Sequence, residues 1–154
     1  MRILVLAVAT AGGVGLAPLA PGTFGSLAGV ALWALLARAG AAALALGIAL
    51  VVPLGIWSAG RAQALWGRHD DGRIVIDEVA GQLLALAFLP LRLEVALTGF
   101  ALFRLFDIWK PGLIRRAERW PGGLGVVADD LVAGLLANAG GQLLWRVVWP
   151  GGWT

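Results

Sequence analysis

The chain has 154 residues, of which 60% are apolar and only 14% charged, with a formal net charge of +3. An ordinary soluble domain carries ~25% charged residues, so polar side chains are too few to cover a water-exposed globule, and lipid is the natural solvent for the excess. The absence of cysteine excludes disulfides, thiolate metal sites and cysteine nucleophiles, and the single histidine, His69, excludes a two-histidine metal site or a histidine relay within one chain.

The length suits one domain covering residues 1–154. No ionisable side chain occurs between Arg2 and Arg38, and Pro18 and Pro21 split that stretch. Proline opens helices and breaks their interiors, so an irregular or re-entrant piece is predicted over Ile3–Leu19 and a helix over about Thr23–Ala37. Ala39–Gly60 is uncharged for about 22 residues, enough for a ~20-residue transmembrane helix. The apolar block Val79–Phe103 is interrupted by Pro90, Arg92 and Glu94. It reads as two short spans joined by a turn at Leu89–Leu93, which requires tilt, thinning or partial insertion. Leu131–Trp149 is long enough to cross, with Arg146 able to snorkel to its interface. The predicted fold is an all-α, multi-helix integral membrane bundle with short helices.

Arg61, Arg68 and Arg73 fall in one loop, and Arg104, Lys110, Arg115, Arg116 and Arg119 in another. The positive-inside rule assigns both loops to the cytoplasm. Trp57, Trp66, Trp109, Trp120, Trp145 and Trp149 lie near the predicted span ends, as in an aromatic belt. Because the basic residues flank apolar spans rather than covering a polar face, no nucleic-acid partner is expected.

On this map Asp70, Asp71, Asp77, Glu78, Asp107, Glu118, Asp129 and Asp130 all fall at the cytoplasmic face, and only Glu94 lies elsewhere. The doublets Asp77-Glu78 and Asp129-Asp130 each open a predicted apolar helix. Capping accounts for one carboxylate per helix start, but not for two adjacent ones at both. Two unit charges ~4 Å apart repel by ~4 kcal/mol at an effective dielectric of ~20, and a bound cation removes that penalty if the two starts converge. Oxygen-only ligands point to Mg2+ or Mn2+. Asp77 and Asp130 each precede a glycine by four residues, Gly81 and Gly134, on the same helix face. Small residues there permit close helix contact, which would bring the two aspartates together.

Between the doublets, Asp107 is three residues from both Arg104 and Lys110, so the three share a helix face. They read equally as a juxtamembrane salt-bridge set or as a phosphate clamp with one more metal ligand, Asp107. Gly122-Gly123-Leu124-Gly125 ahead of Asp129 reads as a flexible turn or an anion-facing helix start, and it has neither P-loop nor dinucleotide spacing. In Pro21-Gly22-Thr23-Phe24-Gly25-Ser26, Thr23 is the expected N-cap with Ser26 in the first turn, and their N–H groups could also face an anion.

Together these segments resemble the phosphatidylglycerophosphatase A family. The pieces are Ala20 to Leu27, His69-Asp70 followed by Ile74 to Glu78 with Gly81, Phe103 to Pro111, and Gly122 to Gly125 with Asp129-Asp130 and Ala133-Gly134. They stand in the family's order across most of the chain. Gly112-Leu113-Ile114 departs from the pattern, which commonly has a second proline before the isoleucine.

The resemblance implies hydrolysis of phosphatidylglycerophosphate to phosphatidylglycerol and phosphate, Mg2+ dependence, a bacterial inner-membrane location and partners that are lipids. Read with it, the doublets give a metal site among Asp77, Glu78, Asp129 and Asp130 in which Asp77 and Asp130 hold the ion and Glu78, Asp129 or Asp107 completes its shell, all five being expected catalytic carboxylates. Thr23, Ser26, Arg104 and Lys110 would contact substrate. A water nucleophile and an aspartyl-phosphate both remain open. The rival readings are a phosphatase for another lipid phosphate or diphosphate, a small transporter, whose carboxylates should lie deep within spans, and a non-catalytic scaffold.

Overall fold

The computed structural model describes residues 1–68 and 71–148, and all regular structure among them is helical. His69, Asp70 and Trp149 lie outside the described residues. The helices are α1 (Arg2–Ala9), α2 (Pro21–Ala39), α3 (Ala41–Trp66), α4 (Ile76–Ala85), α5 (Leu93–Trp109), α6 (Gly112–Ala117) and α7 (Gly123–Val148), with a short 3-10 turn at Val14–Leu16. Helices α2, α3 and α7, of 19, 26 and 26 residues, are long and apolar enough to cross a membrane. Their outward faces carry leucines such as Leu35, Leu50, Leu135 and Leu143 in the open, as a lipid-facing surface does.

Several boundaries differ from the sequence reading for local reasons. Arg2–Ala9 is helical, not irregular. It stops at Thr10, whose hydroxyl donates to the Leu6 carbonyl at 2.7 Å and accepts from the Gly13 N–H at 3.0 Å. Helix α2 opens at Pro21 with Ala20 as its N-cap in the left-handed region, so Thr23 lies inside the first turn and caps nothing. Helix α7 begins at Gly123, about two turns before the predicted Leu131. A Cβ at Gly123 would overlap the Ile56 carbonyl, so this glycine-rich start is helical because it packs directly on the α3 backbone.

Helix α4 is the centre of the molecule. Its residues are buried except Glu78 and Leu84, and it packs against α2, α3, α5 and α7. At 10 residues it rises only ~15 Å, half of a ~30 Å hydrocarbon core. Its apolar run therefore faces protein, not lipid, and the predicted span over Val79–Leu89 is instead a buried half-helix that α5 returns from after the turn at 86–92. The α4–α7 contact is the most extensive in the fold. A Cβ at Gly81 would lie 2.6 Å from the Asp130 carbonyl oxygen, and one at Gly134 would overlap the Gly81 carbonyl. Phe103, Leu83, Val127 and Ile114 fill the space around that crossing, fully buried.

The segment entering α4 is fastened at several points. Val75 N–H donates to the Ala9 carbonyl at 2.9 Å. Asp71 accepts from the Arg73 backbone at 3.1 Å and from its guanidinium at 2.7 Å, and that guanidinium sits 4.0 Å from the Trp66 ring centre. The Arg73 hydrogen bond holds the Asp71 carboxyl below its ordinary range, against the opposing effect of burial. Its folded-state value is thus depressed, so its stabilisation is present above the unfolded carboxylate value and is lost as pH falls through the folded one. Arg73 is 44% exposed and solvent screens the pair. Asp71→Asn is therefore expected to destabilise by only about 1 kcal/mol at neutral pH. Thermal unfolding in detergent should show that gap closing below about pH 4, and a gap independent of pH would contradict the assignment.

Candidate active site

Five helix ends meet on one side of the bundle: the starts of α2, α4 and α7 and the ends of α3 and α5. Asp77 and Glu78 occupy the first turn of α4. Asp129 and Asp130 sit in the second turn of α7, not at its opening, so terminal capping does not account for them. Because α4 and α7 touch backbone to backbone at Gly81 and Gly134, one turn beyond Asp77 and Asp130, the carboxylates are carried together. One oxygen each from Asp77, Glu78 and Asp130 lies within 4.8 Å of the other two.

The doublet on α7 is divided. Consecutive helical residues point ~100° apart, so Asp130 faces α4 while Asp129 turns to Lys110, whose ammonium donates to it at 2.7 Å. Lys110 therefore pairs across the site and not with Asp107, as the sequence spacing suggested. The reason is the end of α5, where Lys110 takes a left-handed conformation (φ 44°) ahead of Pro111 and leaves the helical face shared by Arg104 and Asp107. Lys110 also approaches Glu118 at 3.4 Å. Burial disfavours its charge, but the hydrogen bond and charge of Asp129, helped by Glu118 and Asp130, outweigh that and hold the ammonium above the ordinary lysine range. Arg104 donates to Asp107 at 2.6 Å, and the Asp107 charge in turn bears on Glu78 and Asp130.

Helix α2 closes the remaining side. A Cβ at Gly22 would overlap Glu78 Oε1 and approach Arg104 to 3.4 Å, so a side chain here would have to displace the Glu78 carboxylate. Thr23, half-buried, shares that turn. Ser26 is fully buried. Its hydroxyl donates to the Gly22 carbonyl at 2.9 Å and accepts from Arg104 at 3.4 Å, so Ser26 orients Arg104 and does not line open space.

The electrostatics of the cluster are unbalanced. Asp77, Glu78, Asp107, Asp129 and Asp130 face only Arg104 and Lys110 among close cations, and neither Asp77, Glu78 nor Asp130 forms an ion pair among the described residues. Burial, then the adjacent Glu78 charge and that of Asp130, push the Asp77 carboxyl well above its usual range. Burial and the Asp107 charge raise Glu78 as well, against the bond to Asp77 and the Arg104 charge. Glu78 Oε2 and Asp129 Oδ1 are buried without a hydrogen-bond partner among the described residues. Converging oxygen ligands, an unpartnered carboxylate oxygen and an excess of negative charge are what a hard divalent cation requires, so the residues present fit one.

Two features escaped the sequence reading, the pairing of Glu118 with Lys110 and the buried amide of Gln82. Glu118 meets Lys110 eight positions away, a spacing no helix makes adjacent, and only the α6 turn brings it near. Gln82, one turn beyond Glu78, is fully buried with both amide atoms unpaired among the described residues. A polar side chain within an otherwise apolar helix was the available signal.

The sequence pattern that defines the phosphatidylglycerophosphatase A family matches residues 7–145. A phosphatidylglycerophosphatase A of Escherichia coli K12 is 37% identical over 127 residues, covering 81% of this chain and 74% of its own length. One of Haemophilus influenzae Rd is 42% identical over 128 residues, covering 81% and 78%. A Bacteroides thetaiotaomicron protein whose name proposes a phosphatidylinositol-3-phosphatase is 38% identical over 140 residues, covering 86% and 87%. No solved structure matches the chain at a significant level. All the carboxylates and cations of the site lie inside the matched region, and the chain belongs to the phosphatidylglycerophosphatase A family.

Proposed function

We propose that this membrane protein hydrolyses the terminal phosphomonoester of phosphatidylglycerophosphate, giving phosphatidylglycerol and phosphate, with Mg2+ as cofactor. The observation that carries the reading is the convergence of Asp77, Glu78 and Asp130 within 4.8 Å, beside two cations positioned by Asp107 and Asp129. An anionic pocket of this kind repels a phosphate dianion unless a divalent cation reverses its charge. The same convergence disfavours a scaffold, which has no use for repelling buried carboxylates. A transporter would carry them along a pathway rather than gather them at one end.

Asp77, Glu78 and Asp130 would hold the cation, and Asp129, occupied by Lys110, supports the cluster from behind. When bound, the cation supplies Lewis-acid polarisation of the phosphate and acidifies water. Arg104 forks onto the equatorial phosphate oxygens and Lys110 offsets their charge as a point cation. Asp107, its carboxylate aligned by Arg104, takes the proton of the water that attacks phosphorus in line. The bond from phosphorus to the glycerol oxygen breaks, and that oxygen receives the proton. Thr23, half-buried in the first turn of α2, offers its hydroxyl to the anion from the other side. Following the distribution of arginine and lysine, the site opens to the cytoplasm of the bacterial inner membrane.

Phosphate release from phosphatidylglycerophosphate by the detergent-purified protein tests this. EDTA should abolish release and added Mg2+ restore it. The Mg2+ concentration for half-maximal rate should rise as pH falls from 8 to 5, since protons compete for the ligand oxygens. Release that persists undiminished in chelator would refute the metal assignment.

A further inference from the structure

Beside the carboxylate cluster, an open groove of about 850 Å³ is lined by Ala101, Arg104, Leu105, Ile108, Trp109 and Arg115. Ala101, Arg104, Leu105 and Ile108 recur at helical spacing and form one stripe along the helix. Leu105, Ile108 and Trp109 are exposed at 54%, 74% and 65%, an apolar floor that suits acyl chains and glycerol carbons. The polar elements of the groove are two guanidinium groups with different surroundings. Arg104 reaches inward to Asp107 and Ser26, which makes it the wall shared by groove and site. Arg115, on α6, is exposed and makes no ion pair among the described residues. A fork-shaped cation over an apolar stripe at a membrane boundary complements the phosphate of a phospholipid.

We infer that the groove seats the glycerophosphate portion of the substrate lipid and that Arg115 binds its phosphodiester. The inference rests on the proposed phosphatase activity. Lipid lies along α5 with its phosphodiester on Arg115, and the polyol then passes Arg104 to deliver the monoester to the carboxylates. A lipid whose only phosphate is the monoester, such as phosphatidic acid, leaves Arg115 without an anion. Arg115 thus determines specificity and takes no part in bond breaking.

The test compares wild type, Arg115→Gln and Arg115→Lys in mixed micelles on phosphatidylglycerophosphate and on phosphatidic acid of the same acyl chains. Inhibition by phosphatidylglycerol, which has only the diester, and by inorganic phosphate is measured alongside. Arg115→Gln is expected to raise KM for phosphatidylglycerophosphate about tenfold with kcat within twofold, and to weaken inhibition by phosphatidylglycerol by a similar factor. Turnover of phosphatidic acid and inhibition by inorganic phosphate should not change, and Arg115→Lys should recover part of the loss. Equal losses on both substrates would show a merely structural arginine, and unchanged constants on both would show that nothing binds there; either overturns the assignment. A wild-type protein inert towards phosphatidylglycerophosphate would instead sink the phosphatase reading itself, a distinct outcome.

Discussion

Replacing Asp130 by asparagine should lower the rate of phosphate release by about 10³-fold or more, while the protein without metal becomes no less stable and even somewhat more so. The two halves of this result come from one fact. Asp130 is buried against Asp77 and Glu78, with ligand oxygens within 4.8 Å, and unit charges ~5 Å apart repel by about 3 kcal/mol at an effective dielectric of ~20. Asparagine keeps the shape and removes one charge, so the metal-free cluster loses repulsion and desolvation cost. The same change removes an anionic ligand, and with it the several kcal/mol of charge stabilisation that a correctly held cation gives to the transition state. Asp77→Asn should behave alike.

Asp129→Asn is the informative contrast. It removes the closer of the two carboxylate partners of Lys110, at 2.7 Å, and leaves the half-buried ammonium only the more distant and more exposed Glu118 at 3.4 Å, so it should lose stability as well as activity. Thermal midpoints in EDTA, read beside kcat, separate the two classes. An Asp130→Asn protein that keeps its rate, or that loses stability without metal as Asp129→Asn does, would be incompatible with a repelling metal cluster.

Local chemistry was legible in the sequence where it depended on neighbours along the chain. Pro18 and Pro21 marked the break ahead of α2, the break at Pro90–Arg92 separated α4 from α5, and the repeated aspartate-to-glycine spacing identified the face on which Asp77 and Asp130 meet. Three things were not legible. Hydropathy measures transfer out of water and does not say into what, so the apolar α4 read as a lipid-facing span although it is enclosed by four helices. The run of glycines at 122–125 argued for a loop on intrinsic propensity, yet Gly123 and Gly125 are helical because only glycine lets α7 lie against Ile56 and under Trp120. The partner of Lys110 depended on a single left-handed residue at the end of α5, which helical spacing alone cannot supply. Each failure is a tertiary contact overriding a local preference.

That dependence on backbone proximity makes Gly134 the second decisive position. Gly134→Ala should destabilise the protein by about 3 kcal/mol or more, because the added Cβ overlaps the Gly81 carbonyl and neither helix can yield where α2, α3 and α5 also pack on α4. Its effect on catalysis should exceed its effect on folding. Gly134 lies one turn from Asp130 and Gly81 one turn from Asp77, so forcing the helices apart opens the carboxylate triangle directly, and the Mg2+ needed for half-maximal rate should rise at temperatures where the variant is still folded. Gly81→Ala, meeting the Asp130 carbonyl at 2.6 Å, should repeat the result from the other helix. Gly140→Ala is the control. It lies on the same α7, but its Cβ would meet only Leu102 at 3.7 Å, an ordinary contact, so the better helix propensity of alanine should leave stability unchanged or raised by up to about 1 kcal/mol. If Gly134→Ala and Gly140→Ala gave the same thermal midpoint and the same Mg2+ dependence, the α4–α7 crossing could not be what sets the distance between the carboxylates.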